Sequence, residues 1–85
     1  MKYIIKKTYE AREDGGYFKK GYKQVWFLAK GTTGDQDELT SYVASQGYER
    51  KCDAVRRLKL EEKYSNWESA QGFWNITNEL VEVEA

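Results

Sequence analysis

The chain has no histidine and a single cysteine, Cys52, among its 85 residues. Without histidine it lacks the commonest general base, proton shuttle and metal ligand. One cysteine can form neither an internal disulfide nor a cysteine cage for zinc or iron. No apolar stretch approaches the roughly 20 residues that span a bilayer. The opening Met-Lys-Tyr-Ile-Ile-Lys-Lys holds too short an apolar run for a secretory leader. Together with the free thiol, this predicts a cytoplasmic protein with no membrane association, no metal and no cofactor.

Aromatic rings are abundant: three Trp, seven Tyr and three Phe. A chain of this length makes one domain, here residues 1–85, and buries only roughly 60–65% of its unfolded surface. Each ring can bury about 150–250 Å², so the rings are expected to carry the thin core. Rings in excess over catalytic groups suit binding better than chemistry.

Lys plus Arg and Asp plus Glu number 14 each, and the sequence pI is 6.3. A neutral domain argues against general affinity for nucleic acid. The charges are nevertheless segregated. Residues 1–30 hold eight basic against three acidic groups, whereas 64–85 hold Glu68, Glu79, Glu82 and Glu84 and no base. The ends are expected to lie side by side and neutralise each other, or to present a bipolar surface.

Residues 2–12 are rich in β-formers, with Tyr3, Ile5, Lys7 and Tyr9 on one face. Asp14-Gly15-Gly16 is a hairpin signal. The return strand is read from about Tyr17 to Lys30, with a bulge at Gly21. Both faces of this strand are apolar around Trp26 and Phe27, which predicts cover on both sides. Gly31-Thr32-Thr33-Gly34 reads as a turn into a helix capped by Asp35, with Glu38 at the capping-box position. Leu39, Tyr42 and Val43 have helical spacing, and Gly47 suits the position after a helix end. Residues 36–46 are open between helix and strand, because β-branched and aromatic residues cluster over 40–44. Residues 51–67 form the firmest helix. Its Ala54, Val55 and Leu58 make one apolar stripe, and Leu60, Tyr64 and Trp67 a second. Phe73–Ala85 reads as a last strand, whose apolar phase slips near Asn78 as a bulge would make it do. The order is β-β-α-α-β. This predicts a two-layer α+β domain: an N-terminal hairpin and a C-terminal strand forming a three-stranded sheet, packed on one long and one short helix.

No catalytic set is visible, and the chain is expected not to be an enzyme. The Gly31–Gly34 loop lacks the Gly-Lys-Ser/Thr of a phosphate loop. Asp35, Asp37 and Glu38 are explained by helix capping, and Glu61 and Glu62 by a solvated face. Cys52 has no histidine to act as its base and is read as a packing residue. The constellation that points furthest is Leu60, Tyr64 and Trp67 with Arg56, Arg57 and Lys63 around them. Trp, Tyr and Arg dominate binding hot spots, and a lone helix on a sheet buries only one stripe. Either another element covers the second stripe, or Arg56, Leu60, Lys63, Tyr64 and Trp67 form a contact surface for a protein partner or a second copy. The expected function is a small regulatory protein-binding module, of the kind phages and mobile elements encode as accessory proteins. The alternative is nucleic-acid contact through the interleaved rings and lysines of the hairpin, Tyr17, Phe18, Lys19, Lys20, Tyr22 and Lys23. The plain reading of those lysines is an edge kept soluble.

Overall fold

The computed structural model describes residues 1–13, 19–30, 32–36, 39–72 and 74–84. Its elements are β1 (Lys2–Ala11), β2 (Lys23–Ala29), β3 (Thr32–Gln36), α1 (Ser41–Ser45), α2 (Lys51–Gln71) and β4 (Trp74–Val83). The strands form one antiparallel sheet in the order β3-β2-β1-β4. The α+β arrangement read from the sequence is the one observed, with a short fourth strand added at the β2 edge. The proposed turn at Asp14–Gly16 lies outside the described residues.

Two corrections follow from β3. Thr32–Gln36 pairs with β2, so this segment is strand where a turn and a helix start were expected. Asp35 therefore does not cap α1. The cap is Thr40, whose Oγ1 accepts a hydrogen bond from the Val43 amide at 3.3 Å. A threonine at this position satisfies one of the free amides of the first turn.

The return strand begins at Lys23 rather than near Tyr17, because Lys19–Tyr22 close a turn, and the expected bulge at Gly21 lies where that turn meets the strand. Ala11 donates to the Tyr22 carbonyl and accepts from the Gly21 amide, so two residues on the return strand face one on β1. Gly21 has φ 90°, and the Tyr22 amide bonds the Lys19 carbonyl across the adjoining turn. A left-handed glycine at the third position of a turn, opening a bulge, needs no side chain and tolerates none. The bulge expected near Asn78 is absent. The β1–β4 register runs unbroken from Lys2↔Val83 to Ala11↔Trp74.

The phase slip in β4 has another cause: its two faces are covered in different places. Ile4, Ala29 and Val43 form a buried cluster with Phe27, Leu39, Val81 and Val83 packed against it. This is one face of the sheet, closed at one end by α1. The opposite face of β1 presents Ile5, Lys7, Tyr9 and Ala11. Here α2 lies across β1 and β4, with Lys7 bonded to Glu61 and Asn78 to Ser65. Trp26 and Phe27 are both half-buried, one on each face.

The buried apolar side chains are Ile4, Ile5, Ala11, Leu28, Ala29, Val43 and Ala54. Among the described residues no ring is fully buried, so aliphatic groups carry the core and the rings lie around it. Tyr9 and Trp74 pack edge to face with centroids 5.9 Å apart. Burying an isoleucine stabilises a fold by about 1.5–3 kcal/mol, and Ile4 and Ile5 are both fully enclosed.

Candidate functional site

The long helix turns its Ala54, Val55 and Leu58 stripe toward the sheet and its Leu60, Tyr64 and Trp67 stripe away from it. Among its described side chains Ala54, Glu61 and Ser65 are buried and Val55 and Leu58 half-buried. Leu60, Tyr64 and Trp67 are 45%, 54% and 66% exposed. A helix of mixed composition settles by its best partners, and here these are polar. The Lys7 Nζ donates to Glu61 Oε2 at 2.7 Å, and Arg57 Nε donates to Glu61 Oε1 at 2.8 Å. One turn on, Asn78 Nδ2 donates to Ser65 Oγ at 2.9 Å. Glu61 is thus no solvated surface acid, contrary to the sequence reading.

Burial alone would raise the Glu61 pKa. The hydrogen bonds from Lys7 and Arg57 outweigh it and hold the carboxyl below its ordinary range. Arg57 is held above its ordinary value in the same way: burial would lower it, and bonds to Glu61 and Tyr48 prevail. Two cations thus fix Glu61 and leave it no acidic proton to offer near neutral pH.

With Glu61 and Ser65 facing the sheet, the flank carrying Leu60, Tyr64 and Trp67 faces outward. Arg56 and Lys63 lie on the same flank, both exposed. An open groove of about 720 Å³ runs alongside, bounded by Lys30 and Tyr48 opposite Arg50, Arg56, Leu60 and Lys63 of α2 and its cap. The main-chain bridge between Tyr3 and Tyr48 holds that wall in place, with hydrogen bonds of 2.9 and 2.8 Å. At the head of the groove Arg50 Nε donates to Asp53 Oδ2 at 3.1 Å. That hydrogen bond is the main reason the half-buried Asp53 carboxyl sits below its usual range.

The five residues read from the sequence as a contact surface, Arg56, Leu60, Lys63, Tyr64 and Trp67, are therefore brought together on one exposed helix flank. Lys30, Arg50 and Tyr48 are neighbours of that flank that sequence reasoning missed. Lys30 reaches it through the pairing of β2 and Tyr48 through its bridge to Tyr3, which no local pattern announces, while Arg50 is the residue that opens α2. Of the hairpin set, Tyr17 and Phe18 lie outside the described residues. Lys19, Lys20, Tyr22 and Lys23 are exposed, and Lys23 pairs with Glu10 at 3.6 Å. Cys52 is exposed on the first turn of α2, so it does not pack as expected.

Among the described residues, no three Cys, Asp or Glu side chains are placed to hold a metal ion. Among them, too, no helix is long and apolar enough to cross a membrane. No protein-family model matches the chain, and comparison with curated proteins and with solved structures finds no match.

Proposed function

We propose that this chain is a small non-enzymatic module that binds a protein partner through the outer flank of α2. Trp67 and Tyr64 act as anchors, Leu60 extends the strip one turn before Tyr64, and Arg56 and Lys63 make polar contacts at the rim. The supporting observation is the exposure of three large apolar side chains on one helix flank while the same helix buries a glutamate and a serine. Neighbouring exposed apolar groups ringed by polar ones mark interaction sites. Such anchors typically contribute ~2 kcal/mol or more each when a partner encloses them.

The partner is another protein or a second copy of this chain, which a two-fold axis would seat on the same flank by pairing residue i with j and j with i. The lack of histidine and the engagement of Glu61 by two cations support a non-catalytic role. An exposed thiol suits a reducing, cytoplasmic setting, and a binding flank without a catalytic set suits an accessory protein that a phage or mobile element directs at a host protein.

The test is affinity capture with the wild-type chain and with Tyr64→Ala/Trp67→Ala, both checked for the same circular dichroism spectrum. A protein retained by the first and lost by the second is the expected result. Retention by both refutes the site, and loss of concentration-dependent mass in light scattering would identify a second copy as the occupant instead. Capture replaced by nucleic acid, weakening steeply with salt, would favour the hairpin lysines Lys19 and Lys20.

A further inference from the structure

We infer that the groove beside the ring strip seats an extended acidic segment of the partner, an inference that rests on the protein-binding reading above. The groove gathers Lys30, Arg50, Arg56, Lys59 and Lys63 around the side chain of Leu60. Its acids are already engaged. Asp53 is bonded to Arg50 and lies 4.0 Å from Arg56, and Glu49 pairs with Lys2 at 3.8 Å. Lys30, Lys59 and Lys63 have no salt bridge among the described residues. A chain of zero formal net charge thus concentrates uncompensated positive charge in one groove with an apolar centre.

The dimensions fit a short peptide. From Arg50 to Lys63 the helix rises about 20 Å, which an extended strand of about six residues spans. In an extended segment of alternating acidic and apolar residues the carboxylates share one face, toward the lysine and arginine heads of α2, and the apolar side chains the other, toward the Tyr48 wall. A nucleic acid fits less well. Its phosphates continue beyond so short a groove, and Glu49 and Asp53 stand among the cations it would need. The balanced charge of the whole chain also lacks the broad basic footprint that polyanions require.

The experiment is a titration of the isotopically labelled full chain, followed by amide chemical shifts. The probes are a blocked octapeptide of alternating glutamate and leucine, its lysine–leucine counterpart, and an eight-nucleotide oligothymidylate. The glutamate peptide should shift the amides of Lys30 and of residues 50–63, and the lysine peptide should not. In Lys59→Glu/Lys63→Glu the affinity should fall by about tenfold or more, a difference of about 1.4 kcal/mol. No shift at millimolar glutamate peptide, an affinity unmoved by the charge reversals, or tighter binding of the oligothymidylate to the same amides would each overturn the inference. If the peptide fails while the ring substitutions still abolish partner capture, the acidic segment falls and the protein-binding site stands. If the peptide binds the groove while partner capture survives loss of the rings, the groove stands and the ring site falls.

Discussion

Lys7 Nζ lies 2.7 Å from Glu61 Oε2, and both side chains are buried between the sheet and α2. This pair sets the rotation of the helix. With Glu61 held to β1, the residues one turn on, Tyr64 and Ser65, can only divide between solvent and sheet, and the serine goes inward to Asn78. The exposure of the ring strip is therefore a consequence of a buried ion pair.

Removing one partner of that pair should be costly. Glu61→Ala leaves the Lys7 ammonium buried without its counter-charge, and such breaks cost about 3–5 kcal/mol. That is a large part of the 5–15 kcal/mol by which domains are ordinarily stable. Replacing both groups by apolar ones, Lys7→Met/Glu61→Leu, should restore most of the loss. Urea unfolding of the three proteins decides the matter. A single substitution costing under about 1 kcal/mol would mean that the pair does not fix the helix.

Acid should weaken the fold through Glu61. Its carboxyl is held below the usual range by Lys7 and Arg57 against the effect of burial. A depressed folded pKa contributes stability that is complete above the unfolded value, near about 4.3, and is lost as pH falls through the folded value. Melting temperature should fall from pH 5 downward, and Glu61→Gln should show a shallower fall. Parallel curves for the two proteins would assign the acid loss to other carboxylates.

Gly47 follows the C-cap of α1 and runs against β1. A Cβ there would lie 3.0 Å from the Tyr3 carbonyl oxygen, 3.0 Å from Lys2 Cβ and 3.1 Å from Ile4 Cγ2. Gly47→Ala should cost about 1–3 kcal/mol by overpacking, at about 4–8 °C in Tm per kcal/mol for a domain of this size. An unchanged Tm would show that the Tyr3–Tyr48 bridge yields without cost.

The position of Gly47 was legible in the sequence, but its reason was not. A glycine after a helix suggests left-handed backbone, whereas here the requirement is space beside β1. The Gly21 bulge, the long helix from residue 51 (though it runs past 67 to Gln71) and the strand phases of β1 were legible, because each rests on local periodicity or a local turn residue. Three features were not. Strand β3 exists through its pairing with β2, and Gly34 and Asp35, both poor strand formers, interrupt the β character of Thr32 and Thr33. The end of the Asn78 phase slip lay in which face α1 covers, a tertiary choice. Glu61 reads as polar in any periodicity count, and its partner is 54 residues away. The apolar stripe of Leu60, Tyr64 and Trp67 was plain, but its exposure follows only once Glu61 is placed.

Urea unfolding of Tyr64→Ala/Trp67→Ala against the wild-type chain measures whether α2 carries its rings outward. If Lys7 and Glu61 hold α2 with its rings outward, the two midpoints should agree closely, because surface substitutions usually change stability by no more than about 0.5 kcal/mol each. Truncating buried rings costs about 3–5 kcal/mol apiece. A midpoint lowered on that scale would show that Tyr64 and Trp67 are core, and that the flank offers no surface to a partner.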